Sequence, residues 1–537
     1  MKKVLLFFAC MLIIGTSFSF AGDEYIEEHC WRFKNETYYK KWDSDMGDSI
    51  TYLPWEIYIQ SFIGICSDSN LAKVLCPLDY AFFHAYNAAF KVCEGNCFGM
   101  SLLNTVIYKE EGHFGYCKPI FTYSGDEHGP ASAKLCTTIT IMQCHEWSHA
   151  GIMWMLENIN GTRAKDAKYA YEQIDYYLSM DDPPLVTLVK DTGFEGHTLV
   201  PYRLEKSGGK WYIYLYDSNR WYADSAEFYD SLRNYIEIDE SSGNWSYNMG
   251  WDIDMGAYDI WGSPDGFIFA TPTSLVKPSS RNPLQLGAVQ DALNGIFLTG
   301  AGSSVAQITD EKGRRFYKTD ANVHSRLSDV EDNPHIKMKN MIRMIHSSAK
   351  SKGSPPEIYF MKAGAAKNMK IDIASKGKEY TFHFAGKNNL VSIKAEPGLS
   401  GRDKIELQRI GNASQELILQ STRGPAAYAV ELYRPISDEV GRIFKISNVR
   451  TTGTSPVKVR LSKNLGSILI KSEEESMKCD LEIIQTIGTE ISKIKKKNID
   501  VSGVEWQEVS PTDWTELQDA NIEVKKVTPK EEEIPQE

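Results

Sequence analysis

The sequence predicts an α+β protein, in which helices come first, an antiparallel sheet follows and an all-β, sandwich-like region comes after that sheet. Three observations lead to this fold class. Apolar residues recur at helical spacing before residue 112, and β-branched and aromatic residues form short runs from Pro184 onward. Further along the chain, strand-like runs are broken by Gly, Asn and Pro, which is typical of a β-sandwich.

Two early segments are predicted to be helices, "PLDYAFFHAYNAAFKVC" (77–93) and "CFGMSLLNTVIYKEEG" (97–112). The second segment places four apolar residues on one helical face: Leu102, Leu103, Val106 and Ile107. A later amphipathic stretch, "IKMKNMIRMIHSSAK" (336–350), is also predicted to be helical. The segments "PLVTLV", "HTLVPYRLE" and "KWYIYLYDSN" are predicted strands, and "KSGG" forms the turn between the last two.

Composition shifts divide the chain into five parts. Most of the cysteines and tryptophans fall before residue 275, and a turn-rich linker, "TPTSLVKPSSRNPLQ", follows them. The predicted parts are a signal peptide (1–21), a first domain (22–275), a linker with mixed strand and helix (276–370), a β-sandwich accessory domain (371–475) and a C-terminal extension with a disordered tail (476–537).

The first residues are typical of a secretory signal peptide. Two lysines precede an apolar stretch, and Ser19 and Ala21 provide a small-x-small cleavage signal before Gly22. No later run reaches the roughly 18 consecutive apolar residues that a membrane helix needs. We therefore expect a secreted or periplasmic protein without a stable membrane anchor.

Net charge constrains the partners. The chain of 537 residues has a formal net charge of −12 and a calculated pI near 5.5. Binding to phosphate backbones requires clustered positive charge, so nucleic acid is not expected as the main partner. A protein or peptide substrate is the expected partner.

The cysteine count leaves the state of Cys97 open. Nine cysteines follow the signal peptide, and an exported chain tends to pair them, so one thiol should remain unpaired. Cys97 is either that thiol or a disulfide partner of Cys93 or another neighbour. The first domain is expected to be stabilised by disulfide bonds among the remaining cysteines.

Three residues are candidates for nucleophilic catalysis. Cys97 opens a predicted helix, whose N-terminus favours a thiolate. His197 begins one strand of the predicted hairpin and Asp217 ends the other, so the hairpin can bring Asp217 or Asn219 close to His197. A carboxylate or amide at that position would orient the imidazole toward a thiol.

The segments "GNCFGMS", "GHTLVPY" and "YDSN" together resemble the papain-like cysteine peptidase superfamily, and most closely its bacterial secreted and bacteriocin-leader-peptidase-like branches. The resemblance implies a papain-like fold for the first domain, acyl-transfer chemistry and no cofactor. It implies Cys97 as nucleophile, His197 as general base and then acid, and Asp217 as the orienting residue. Asn219 is a weaker candidate for the orienting role. A transglutaminase-like transferase would use the same order of residues.

One position departs from the family pattern. The family usually has a glutamine about six residues before the nucleophile, where its side chain stabilises the oxyanion, but Lys91 occupies that position here. The backbone N–H of Cys97 and the side chain of Asn96 are the candidate substitutes. An inactive homologue that serves as an extracellular binding or adhesive protein is therefore an alternative.

A second motif predicts a different chemistry. His145, Glu146 and His149 match H-E-x-x-H, in which two histidines on one helical face hold zinc and the glutamate acts as base on the bound water. Glu172 is the candidate third ligand. A zinc metalloprotease is therefore the alternative enzyme, although it leaves "GHTLVPY" and "YDSN" without a role.

Overall fold

The computed structural model of the chain combines few helices with mostly antiparallel strands, which confirms the α+β class. The structure describes residues 30–33, 35, 55–61, 77–92, 95–125, 131–148, 150–151, 154, 162–189, 196–220, 234–249, 260–264, 266–278, 293–300, 302–317, 341–343, 356–386, 389–412, 414–424, 426–437, 440–451, 455–473, 477–488, 490–501, 503 and 505–528. The predicted signal peptide and the last nine residues of the predicted tail lie outside these ranges. None of the helices in these ranges has the length and apolarity needed to span a bilayer.

Within the described ranges there are six α-helices: α1 Trp55–Ser61, α2 Pro77–Val92, α3 Cys97–Glu110, α4 Ala133–Cys144, α5 Ala167–Ser179 and α6 Thr273–Val276. Short 3-10 turns cover Ile120–Tyr123, His145–Trp147 and Thr162–Lys165. The contacts of the chain define two compact units. The first unit comprises Met1–Thr51, Glu94–Asn282 and Ile345–Lys350, and the second comprises Tyr52–Cys93, Pro283–Met344 and Ser351–Glu537.

The first unit contains a seven-stranded antiparallel sheet in the order β6-β5-β4-β3-β2-β1-β7. Its strands are β1 Pro184–Val189, β2 Gly196–Ser207, β3 Lys210–Tyr216, β4 Tyr235–Asp239, β5 Trp245–Asn248, β6 Ile260–Gly262 and β7 Phe267–Pro272. The predicted hairpin is β2–β3, which turns at Gly208 and Gly209 with positive φ at both positions. These left-handed conformations suit glycine, because it has no Cβ.

Helix α3 lies at the centre of the first unit. Every residue from Cys97 to Ile107 is buried, not only the predicted apolar face. A helix that is buried all round must satisfy its polar side chains internally, and the hydroxyl of Ser101 donates to the carbonyl of Thr198 on β2 at 3.0 Å. This contact ties α3 to the strand that carries His197. Helix α5 packs on the sheet through Ala170, Ile174 and their neighbours.

The second unit is a sandwich of two nine-stranded antiparallel sheets, β10-β9-β13-β16-β17-β20-β21-β24-β25 and β11-β12-β8-β14-β15-β18-β19-β22-β23. The strands are β8 Leu293–Thr299, β9 Ser303–Asp310, β10 Arg315–Tyr317, β11 Met341–Arg343, β12 Glu357–Lys362, β13 Met369–Ser375, β14 Tyr380–Gly386, β15 Asn389–Ala395, β16 Gly401–Gln408, β17 Glu416–Ser421, β18 Ala426–Pro435, β19 Val440–Thr451, β20 Val457–Leu461, β21 Ile468–Ser472, β22 Lys478–Ile487, β23 Glu490–Asp500, β24 Trp506–Pro511 and β25 Ile522–Val527. Alternating residues of both sheets form one apolar core.

The sandwich extends beyond the predicted range 371–475 in both directions. Strands β8 to β12 lie in the predicted linker, β22 to β25 lie in the predicted C-terminal extension, and β11 lies inside the stretch predicted as helix. Helix α2, predicted for the first domain, packs on the second unit, where Phe82 lies 6.3 Å from Phe297 and 6.2 Å from Phe360 between ring centroids. Because these contacts span more than two hundred residues, local sequence patterns did not indicate them.

Among the described residues the structure shows no disulfide bond, so the prediction of a disulfide-stabilised domain is not borne out there. The six cysteines in the described ranges carry thiols: Cys30, Cys97, Cys117, Cys136, Cys144 and Cys479. Cys136 and Cys144 both lie on α4, eight residues apart. Eight residues of α-helix rise about 12 Å, beyond the roughly 7 Å between Cα atoms that a disulfide spans. Cys66, Cys76 and Cys93 lie outside the described residues.

Candidate active site

Cys97 is the first residue of α3, and its side chain has no exposed surface. The first helical hydrogen bond runs from the N–H of Met100 to the carbonyl of Asn96 at 2.8 Å, so the helix starts at the cysteine. The N–H groups of a first helical turn lack intrahelical acceptors and carry partial positive charge. The sulfur therefore lies where negative charge is stabilised.

His197 and Asp217 meet at the open end of the β2–β3 hairpin. Val200 pairs with Tyr216 across the two strands, and the residues beyond this pair approach each other. The Nε2 atom of His197 lies 2.6 Å from Oδ1 of Asp217. Both side chains are buried. The hairpin predicted from the sequence thus brings these two residues into hydrogen-bond contact.

The electrostatics of this pair favour an imidazolium beside a carboxylate. Burial alone would lower the pKa of His197, but the charge and hydrogen bond of Asp217, together with a hydrogen bond to the Cys97 side chain, raise it to about 10. Burial would raise the pKa of Asp217, but His197, and secondarily the Arg220 guanidinium and the Tyr247 hydroxyl, hold it well below its usual range. His197 therefore contacts both the cysteine and the aspartate.

Three groups hold the carboxylate of Asp217 in place. The backbone N–H of Asn219 donates to Oδ1 at 2.8 Å, and the hydroxyl of Tyr247 on β5 donates to Oδ2 at 2.6 Å. The Nε atom of Arg220 lies 3.6 Å from the same Oδ2. A carboxylate held by several donors keeps one orientation, so it can fix the orientation of the imidazole.

Asn35 is a further site residue, which sequence reasoning missed. Its Oδ1 accepts from the backbone N–H of Asn96 at 2.6 Å, and its Nδ2 donates to Oδ1 of Asn219 at 3.1 Å. The Nδ2 of Asn219 in turn lies 3.4 Å from Nδ1 of His197. Asn35 therefore links the start of α3 to the loop beside the histidine. No motif surrounds it, and it precedes Asn96 by 61 residues.

The side chain of Asn96 is buried, and within the described structure neither its Oδ1 nor its Nδ2 has a hydrogen-bond partner. Leaving a buried polar group unpaired costs about 1–3 kcal/mol, so such groups are usually paired or reserved for a ligand. This amide directly precedes Cys97. Its Nδ2 can donate a hydrogen bond, as an oxyanion ligand must.

The zinc motif does not form the helix that its chemistry requires. Helix α4 ends at Cys144, a 3-10 turn covers His145–Trp147, and Ser148 has an extended conformation. The i, i+4 spacing places two histidines on one face only in a continuous α-helix. His149 lies outside the described residues.

The remaining residues of that motif have other surroundings. His145 is buried, and this burial, followed by the charge of His113, lowers its pKa to about 3. Glu146 accepts from Nε2 of Gln143 at 2.7 Å, and Glu172 is exposed on α5. Among the described residues, no three His, Cys, Asp or Glu side chains lie close enough together to hold a metal ion.

We expect the substitution Asn35→Ala to lower the free energy of unfolding by about 1–3 kcal/mol, because it leaves the Asn96 N–H and the Asn219 Oδ1 buried without partners. Urea denaturation measures the effect. The matched control is Gln60→Ala, whose amide makes an exposed hydrogen bond to the carbonyl of Glu56 on α1. That control should change stability by less than about 0.5 kcal/mol. Equal effects of the two substitutions would contradict a linking role for Asn35.

Comparison with models of known protein families, with curated proteins and with solved structures finds no match to this chain. The interpretation of the site therefore depends on its geometry and chemistry.

Proposed function

We propose that the first unit is a papain-like cysteine hydrolase that cleaves amide bonds in peptide or protein substrates. The observation that carries the proposal is the hydrogen-bonded series Cys97, His197 and Asp217 at the N-terminus of a buried helix. The proposed chemistry needs no cofactor, and the predicted signal peptide favours a location in the periplasm or outside the cell.

The assigned roles follow from the contacts of each side chain. Because Nε2 of His197 is bound to Asp217, we assign proton exchange with the thiol to Nδ1, which also lies 3.4 Å from Nδ2 of Asn219. In the first step the Cys97 thiolate attacks the substrate carbonyl carbon and forms a tetrahedral oxyanion. The C–N bond then breaks as the imidazolium of His197 protonates the leaving amine. A thioester remains on Cys97.

Water completes the cycle. The now neutral His197 removes a proton from a water molecule, the hydroxide attacks the thioester carbonyl, and the thiolate leaves as the carboxylic acid product forms. The oxyanion of both steps requires donors. The backbone N–H of Cys97 and the unpaired Nδ2 of Asn96 supply them, in place of the glutamine whose position Lys91 occupies.

The cysteine and the histidine have no exposed surface, so a substrate reaches them only when covering residues move aside. Burial also excludes water, which strengthens the charge interactions among the three side chains. A small thiol reagent requires less displacement of the covering residues than a peptide does.

The proposal is tested by alkylating the non-reduced protein with iodoacetamide at mildly acidic pH and locating the label by peptide mass spectrometry. The thiolate, not the thiol, reacts with iodoacetamide, and a neighbouring cation favours the thiolate form. We therefore expect Cys97 to be labelled before the exposed Cys117. Burial raises the pKa of Cys30, and that of Cys479 to about 12, so these two should remain unlabelled.

The variant His197→Ala distinguishes activation of the Cys97 thiol by His197 from simple access of the reagent to the sulfur. It removes the imidazolium and, at the same time, opens space beside the sulfur. Labelling of Cys97 should slow in this variant while labelling of Cys117 stays the same. If Cys117 reacts first in the unmodified protein, or if His197→Ala leaves Cys97 equally reactive, Cys97 is not an activated nucleophile.

A further inference from the structure

The second unit contains a cavity of about 560 Å³. Its floor is the outer face of the sheet that includes β14, β15, β18, β19, β22 and β23, and helix α2 forms one wall. The floor residues alternate with residues of the sandwich core: Phe382 and Ile393 are buried inside, whereas their neighbours His383 and Ser392 line the cavity. The volume is within the range of small-ligand sites, roughly 300–1,000 Å³.

A single row of directly opposed residues crosses the floor from strand to strand. Its members, in spatial order, are His383, Ser392, Glu431, Lys445, Glu482 and Lys495. Adjacent strands lie about 4.8 Å apart. The row therefore presents a side chain that can donate or accept a hydrogen bond about every 4.8 Å across the sheet. We call this set the polar row.

The charges of the polar row are neutralised within it. Lys445 lies 3.9 Å from Glu431, and Lys495 lies 3.0 Å from Glu482, between nitrogen and oxygen atoms. An anionic ligand would meet the two carboxylates, and a cationic ligand would meet the two ammonium groups. The floor therefore favours an uncharged ligand that can both donate and accept hydrogen bonds.

Further lysines at the cavity also have partners. Lys394 lies 3.1 Å from Glu379, and Lys496 donates to the carbonyl of Ile522 at 2.6 Å. The pair with Glu379 offsets the charge of Lys394, whereas the bond to a neutral carbonyl leaves the charge of Lys496 in place. Lys497 and Asp480 also line the cavity and add one charge of each sign. The cavity is thus polar without a strong preference for either sign of charge.

Helix α2 contributes the rings of Tyr80 and His84 to the wall of the cavity. Tyr80 and His84 of α2 lie 4.5 Å apart between ring centroids, and His84 stacks on His383 at 6.0 Å. Burial, followed by the charge of Glu431, raises the pKa of Tyr80, so its hydroxyl remains neutral. Such rings pack against the C–H face of a sugar ring, while the hydroxyls of the sugar find partners on the floor.

We propose that this cavity binds an uncharged oligosaccharide. Each sugar hydroxyl donates one hydrogen bond and accepts others, which matches alternating carboxylates and ammonium groups, and the ring wall matches the apolar face of the sugar. The proposal is independent of the hydrolase chemistry of the first unit.

The test is isothermal titration calorimetry of the full mature chain with three neutral probes: maltohexaose, cellohexaose and chitohexaose. We expect saturable binding of at least one of them. Binding should weaken at least about tenfold, or roughly 1.4 kcal/mol, in Tyr80→Ala and in Lys495→Met. The second variant changes an exposed side chain and should leave folding intact. The control is Lys370→Met, whose exposed pair with Glu406 lies on the other sheet, and it should bind normally.

Hexaglutamate and hexalysine serve as charged probes. Absence of saturable binding to all three hexasaccharides would overturn the proposal. So would sugar binding that neither cavity variant weakens, or binding of a charged peptide that is tighter than binding of any of the sugars. Because the assay measures no hydrolysis, failure of the proposed active site would not change its result.

Discussion

Replacing Cys97 with serine is expected to lower kcat/KM for peptide cleavage by about 10⁴-fold or more. The proposed reaction needs a thiolate nucleophile, and a serine hydroxyl is far less acidic than a thiol and remains protonated. Because the side chain is fully buried and only one atom changes, the fold should be preserved. Release of fluorescent peptides from labelled casein measures the loss, and circular dichroism verifies folding.

The matched control is Cys117→Ser, which makes the same atomic change at an exposed thiol and should retain full activity. A second measurement addresses the zinc alternative. If Cys97→Ser cleaves casein normally and a chelator stops the cleavage, the nucleophile is not this cysteine, and the region around His145 becomes the site to investigate.

The substitution Asp217→Asn is expected to reduce kcat/KM by roughly 10²–10⁴-fold. It removes the charge that keeps His197 protonated, while burial continues to lower the pKa of that imidazole. The alkaline limb of the pH–activity profile should therefore move to lower pH. The profile of kcat/KM against pH measures this shift.

The same substitution should also change how stability depends on pH. A histidine with a raised pKa contributes stability that is complete below its ordinary pKa of 6.5 and disappears as the pH rises through about 10. The lowered pKa of Asp217 contributes stability above its ordinary value of 3.8, which is lost as the pH falls. Urea denaturation across both ranges should show a weaker dependence in Asp217→Asn than in the unmodified chain.

The control for this substitution is Tyr247→Phe, which removes one hydrogen bond to Asp217 and keeps the carboxylate charge. It should reduce kcat/KM by about tenfold or less and leave the alkaline limb nearly in place. If Asp217→Asn and Tyr247→Phe shift the pH profile equally, the charge of Asp217 does not control the protonation of His197.

Part of the candidate site could be predicted because it depends on residues that are close together in the sequence. Helix α3 starts at Cys97 because an apolar helical pattern begins there, and the β2–β3 hairpin follows from two strand-like runs around a glycine turn. A tight turn fixes how the two strands of a hairpin pair, and so it fixes which residues meet at the open end. The contact between His197 and Asp217 could therefore be expected from the sequence. The sandwich class followed in the same way from short alternating strands.

Other features depend on contacts between distant parts of the chain, which local patterns do not encode. The H-E-x-x-H spacing predicts a shared helical face, but the chain leaves the helix at Cys144 and buries His145. Disulfide pairing likewise depends on Cα distances that a cysteine count does not contain.

The sequence by itself therefore determined the α+β class, the helix at Cys97 and the hairpin that carries His197 and Asp217, since each follows from the periodicity of neighbouring residues. Only the tertiary structure decided that Asn35 and Tyr247 hold the site together, that α2 packs on the sandwich, and that a polar row crosses its outer face. Those relations join residues far apart in sequence, and their partners are selected by packing and hydrogen bonding in the folded chain.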